Sequence, residues 1–445
     1  GCICPGCICP GCICPGCIRP GHDAGRTCRD ARGAGRTLPR RRTGCAHEMI
    51  RSATPAPAPR RAAALLASVA LSSALAGCSW LPTIPPPSFG WLWGDSKKLG
   101  PLPEFKATAT PQMTWQAGVA KAAPGFGPTV VGDAVYAAAV DGTLTRIDAS
   151  TGKSAWRINT GKKLSAGAGA DRTLVAVGTD KGDVLAFDPD GKPLWQVRVS
   201  SEVVSPPRVA EGVVVVWSGD GRVFGLSSAD GKTKWVYQRA NPPLTVRNFA
   251  GGTISRGGLL MGTAGGKLVA LDLATGNVGW EANVATPKGA TELERIADVT
   301  SLPVVEDKQV CAVAFQGRVA CFEILRGTLN WSRDVSSLAG IVADSRYLYV
   351  VDDKGNVHAL DKATGASAWK QDKLAQRRIG GPQLAGDNVA VVDGEGYLHL
   401  LDRNDGSLVG RLATDGTAAT SQPAALAGSA LWQSEGGTLY AVGAR

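Results

Sequence analysis

The chain has 445 residues, 48 basic against 38 acidic side chains and a formal net charge of +10. Residues 1–77 carry 11 Arg and three acidic residues, which leaves 37 basic and 35 acidic side chains from Cys78 onward, a net +2. That balance takes away the main support for a nucleic-acid partner, which would need a basic face, so no nucleic-acid role is expected.

The first 48 residues open on GCICPGCICPGCICPGC and continue into an Arg- and Gly-rich stretch holding nine of the 12 cysteines. The repeat has no acidic or His partner beside it and no zinc-type Cys spacing around a folded segment. Residues 1–48 are read as upstream translation outside the mature protein, with Met49 the start. Residues 49–77 follow as a targeting segment. Arg51, Arg60 and Arg61 form a positive n-region, and Ala62–Leu75 is an apolar h-region too short to be a comfortable span. Leu75-Ala76-Gly77-Cys78 resembles a bacterial lipobox, which implies cleavage before Cys78 and lipid on that residue. Lipid makes the chain membrane-anchored rather than membrane-spanning. Ser79 rather than Asp after the Cys fits sorting to the outer membrane. Residues 78–110 are then the lipidated Cys and a Pro-rich, semi-rigid tether carrying Trp80, Trp91 and Trp93.

Residues 111–445 are governed by repetition. GTLTRIDASTGKSAW (142–156) returns as GDVLAFDPDGKPLW at 182, and again from 221, 266, 317, 355 and 396, with a truncated GTLYAVGAR at 437. The starts are 40, 39, 45, 51, 38, 41 and 41 residues apart, a period that signals a repeat architecture. Within residues 128–158, two short apolar runs, the Asp141-Gly142 turn, the alternating TLTRID and the SAWRIN run predict four antiparallel strands. The expected fold is all-β, an eight-bladed β-propeller of four-stranded blades. The last copy lacks an outer strand, and QMTWQAGV (112–119) is expected to supply it and close the ring. Trp115, Trp156, Trp195, Trp235, Trp280, Trp331 and Trp369 recur at blade period, which places them as covers of the blade joints rather than a cofactor stack. Blade 7 has Gly410 there, and a weaker joint is expected.

Candidate chemistry is sparse. His358 and His399 occupy the same place in two blades, which favours packing over a catalytic pair. Gly152-Lys153-Ser154 ends like a phosphate loop but has Ile147 where Gly is needed. Asp188-Pro189-Asp190-Gly191 is too short for a calcium loop. Asp148, Asp188, Asp272, Asp361 and Asp402 close strands at matching places and read as turn formers. Cys311 and Cys321 fall opposite each other in one hairpin, as a disulfide or as two buried thiols. No catalytic residue, metal site or cofactor is assigned.

The blade phrase resembles propellers of the pyrroloquinoline-quinone type, a group that includes quinoprotein dehydrogenases. A periplasmic PQQ-dependent dehydrogenase is therefore the alternative function, although the chain lacks the vicinal Cys-Cys pair of those enzymes. A saccharide-binding propeller would instead cluster aromatics at one channel mouth. The chain resembles the BamB family more closely, through the lipobox, Pro101–Pro103, GTLYAV, PPLTVRNFAG (242–251) and GATELERIADVTSLPVV (289–305). That resemblance implies a scaffold lipoprotein of outer-membrane barrel assembly, held at the periplasmic face of the outer membrane. It would dock on the periplasmic POTRA region of BamA and assist unfolded outer-membrane proteins. By the same resemblance, Leu244, Val246 and Arg247 match a Leu-x-Leu-Arg contact element, Asp298 matches an acidic position of the second loop, and Thr300 stands where a second Asp occurs. Apart from it, Leu244 and Val246 read as the core of an extra strand and Arg247 as a surface charge.

Overall fold

The computed structural model describes residues 99–240, 242–246 and 251–444. Residues 1–48, the segment 49–77 read as a signal peptide, Cys78 and Arg247 lie outside the described residues.

The described residues form eight four-stranded antiparallel sheets. Blade 1 runs Thr129–Val131, Ala134–Ala138, Thr143–Asp148 and Ser154–Asn159, from the innermost to the outermost strand. The next six blades repeat that order. Blade 8 is composite: Pro111–Gly118 pairs with Thr438–Ala444, which continues to Ser429–Gln433 and Ala424–Leu426. The eight-bladed propeller is therefore closed by the N-terminal strand, with Gln116 opposite Tyr440.

Second strands are buried on both faces, as in Val213–Trp217 and Tyr347–Val351. The two faces serve different neighbours, because successive side chains point opposite ways. Val135 and Ala137 pack with Leu431 and Leu439 of blade 8, whereas Tyr136 and Ala138 pack with Val175 and Val177 of blade 2. Fully burying one Val or Leu contributes roughly 1.5–3 kcal/mol. An exposed ion pair contributes about 0–1 kcal/mol, so these apolar joints hold the ring.

The indoles finish seven of the eight joints. Every third-to-fourth strand pairing in blades 1 to 7 carries a bulge just ahead of the outer-strand Trp position, as between Arg146 and Ile147. A bulge adds twist and re-aims the side chain beside it. Each of the seven Trp Nε1–H groups donates to a backbone carbonyl in the next blade at 2.8–2.9 Å. The ring then lies against a turn glycine of that blade. Gly276 has φ +73, and a Cβ there would sit 2.6 Å from the Trp235 ring, so both backbone and space demand glycine.

The joint between blades 7 and 8 is built differently. Thr108 and Ala109 N–H both donate to the Val409 carbonyl, and a Cβ on Gly410 would meet the Ala109 oxygen at 2.9 Å. The incoming chain thus takes the place of the missing indole, and the weak joint expected at Gly410 is covered by residues 108–111.

Leu99–Pro103 is also packed down rather than free. Gly100 N–H donates to Gln376 O, and the Arg377 guanidinium bonds the Gly100 carbonyl. Arg411 Nη2 donates to Pro103 O at 2.7 Å and lies over the Phe105 ring. Cys311 and Cys321, opposite each other on adjacent strands of blade 5, are joined as a disulfide.

Candidate functional site

In a blade of this topology, the connection to the next blade and the turn between second and third strands share one end of the ring. Two of these connections are long. Residues 239–251 join blades 3 and 4, and residues 284–303 join blades 4 and 5.

In the first, Pro242, Pro243, Leu244 and Thr245 are exposed, and Val246 turns inward. Leu244 retains 43 % of its surface. In the second, residues 289–295 project outward around a helical turn. Glu294 Oε2 accepts the N–H groups of Ala290 and Thr291, while Thr291 Oγ1 accepts Glu294 N–H. This is a reciprocal cap, and those backbone bonds hold the Glu294 carboxyl below its ordinary pKa. The turn presents Leu293 at 66 % exposure. The Gln316 amide is placed to donate to the carbonyls of Leu293, Glu294 and Ile296, at 3.3, 3.1 and 3.1 Å.

Asp298 ties the two connections together. It is only 3 % exposed. Its Oδ2 accepts Val246 N–H at 2.6 Å and its Oδ1 accepts Gly265 N–H at 2.9 Å. Its own carbonyl accepts Phe315 N–H. Leu244, Val246 and Asp298 are thus brought together, with Asp298 as a buried link. Thr300 lines the central channel, which Val246 also reaches, and its Oγ1 is buried. Leu293 was not singled out in the sequence; a lone leucine amid Thr291, Glu292, Glu294 and Arg295 is the signal that could have found it.

The two histidines among the described residues are engaged. His358 Nε2 is 2.9 Å from Asp352 Oδ2. His399, fully buried, has Nε2 3.0 Å from Asp393 Oδ2, and Arg411 Nε donates to its Nδ1 at 3.3 Å. Because Arg can only donate, Nδ1 must hold a lone pair, and the ring is the neutral Nε2–H tautomer. Burial pushes the His399 pKa down, with Arg411 and Arg377 assisting against Asp393. The recurrent Asp residues form turns: Asp148 Oδ1 accepts the N–H groups of Ser150 and Thr151, and Asp361 repeats this with Ala363 and Thr364.

Comparison with known proteins adds a consistent finding. The sequence model of the family described as outer membrane protein assembly factor BamB matches residues 108–162 and 140–371. Outer membrane protein assembly factor BamB of Nitrosomonas eutropha is 46 % identical over 304 residues, covering 68 % of this chain and 74 % of that protein. Its counterpart from Bordetella pertussis is 39 % identical over 396 residues, covering 88 % of this chain and 99 % of that one. The crystal structure of BamB from Moraxella catarrhalis superposes with a TM-score of 0.68 at 24 % identity, over 75 % of this chain and 99 % of the other.

Proposed function

This chain belongs to the family of outer membrane protein assembly factor BamB, and on that premise we propose that it is a non-enzymatic scaffold lipoprotein of the outer-membrane protein assembly complex. Lipid on Cys78 anchors it at the periplasmic face of the outer membrane, and the ring docks on the POTRA region of BamA. The observation that carries this reading is the exposure of two leucines, Leu244 and Leu293, on long connections that Asp298 fastens to each other. Binding residues commonly sit on loops held by a rigid scaffold, and exposed apolar anchors suit an interface hot spot, with Arg247 three residues after Leu244 in the sequence.

Two features make a modest interface sufficient. Leu99 lies against Gly394, in a second-to-third-strand turn of blade 7, so the chain enters the ring at the end that bears the two long connections. A lipid anchor on that side raises the effective concentration of the docking surface near its partner. Outer strands such as Ser154–Asn159 keep one edge unpaired, which suits strand addition by unfolded barrel proteins.

The test is affinity capture of the tagged chain from membranes solubilised in mild detergent, beside an Arg247→Glu variant. BamA captured by the wild type and lost by the variant supports the reading. Absence of every barrel-assembly subunit from the wild-type capture overturns it.

A further inference from the structure

The innermost strands enclose a channel of about 720 Å³ on the ring axis, with wall residues from seven of the eight blades. Most of the wall is neutral and apolar, including Val305, Ile341 and Val342. Arg208, at the start of the innermost strand of blade 3, is the sole charged residue among the described lining. Its Nε is sealed from solvent and has no hydrogen-bond partner among the described residues. Burial lowers the Arg208 pKa, and no neighbouring carboxylate offsets that effect. Thr300 and Ser301 of blade 5 also line the channel, with their hydroxyl oxygens buried behind the wall and unpartnered.

The contrast within the molecule is informative. Arg377 is 2 % exposed and is matched by Asp393 at 2.7 Å and Glu395 at 2.6 Å. Buried charges are normally paired in this way, because an unpaired one is costly. Arg208 has donors to spare and faces a cavity of the size that small ligands occupy. A single planar guanidinium matches a carboxylate in a two-bond fork, whereas a doubly charged phosphate would call for more than one cation. The aliphatic wall suits a ligand with an apolar body.

We infer that the central channel is a binding site for an organic carboxylate with an apolar body, anchored by Arg208. The site is distinct from the exposed Leu244 and Leu293 but shares Val246 with the first long connection. The same chemistry is offered by a free aliphatic acid and by the C-terminal carboxylate of a peptide.

The test is calorimetric titration of the purified protein with hexanoate, for the free acid, and N-acetylleucine, for the peptide end. Hexanamide, N-acetylleucinamide and inorganic phosphate are the controls. Saturable binding of one carboxylate is expected, weakened at least about tenfold by amidation or by Arg208→Met. Which of the two binds more tightly identifies the source. Arg208→Met should fold with an unchanged or higher Tm, since it removes a half-buried charge that has no counter-charge among the described residues. Should it unfold, Arg208→Gln and the acid-against-amide comparison on the wild type carry the test. A channel occupied only by water, shown by no binding of either acid, overturns the inference. So does binding that survives amidation, or phosphate binding more tightly than both acids.

Discussion

Asp298 Oδ2 accepts the backbone N–H of Val246 at 2.6 Å, across 52 residues of sequence. Through this bond the connection between blades 4 and 5 fixes the one between blades 3 and 4, and with it the height at which Leu244 stands. Asp298 is therefore a positioning residue. Its oxygens are consumed by Val246 and Gly265, so in the free chain it has little left to offer a partner.

Asp298→Ala should cost about 2 kcal/mol of stability, because a buried N–H left without its acceptor costs roughly 1–3 kcal/mol and both donors here are partly hydrated. Chemical denaturation reads the loss. Hydrogen exchange should rise at Val246 and Gly265 while the second strands stay protected. Unchanged exchange at both amides would refute the linking role.

Gly276→Ala separates two costs of a turn glycine. Left-handed backbone costs an Ala roughly 1–2 kcal/mol. Displacing the Trp235 ring adds roughly 1–3 kcal/mol of overpacking. Gly132 has φ +58 and open space around its Cβ position, so Gly132→Ala should show the first cost alone. Denaturation midpoints of the two variants check the difference. Equal losses would mean that the indole contact contributes nothing.

Acid should weaken the hold on the incoming chain in two stages. The pKa of His399 is pushed below its ordinary 6.5, chiefly by burial. Below pH 6.5 the unfolded chain takes up a proton that the folded ring refuses, so stability falls as pH falls. Burial alone would raise the Asp393 pKa, but hydrogen bonds from His399, Arg377 and Tyr397 N–H outweigh it and bring it below 3.8. Its contribution is present above pH 3.8 and disappears in stronger acid. His399→Gln should flatten the first stage of a plot of Tm against pH and leave the second. A wild-type slope below pH 6.5 in that variant would contradict the assignment.

Much of the fold was legible because its rules are local. Alternation, turn glycines and a recurring Trp each act over a few residues, and even ring closure could be read from an orphan Trp115 and an unfinished final copy. The site was less legible because its geometry is made at long range. Asp298 was marked as a contact residue, yet its partners lie 52 and 33 residues away and draw it inside. Thr300, two positions on, belongs to the channel wall. The stretch read as a tether packs on blades 6 and 7 from Leu99 because Arg377 and Arg411, nearly 300 residues later, bond the carbonyls of Gly100 and Pro103. Arg208 carried no signal at all, since only the closed ring shows that it lacks a counter-charge.

The most direct measurement of the central claim is the affinity of the purified ring for the POTRA region of BamA, wild type against the Leu244→Asp/Leu293→Asp double variant. Both side chains are exposed, so the variant should keep its Tm. The account predicts binding weakened at least about tenfold, or about 1.4 kcal/mol. Wild-type affinity in the folded double variant would contradict it.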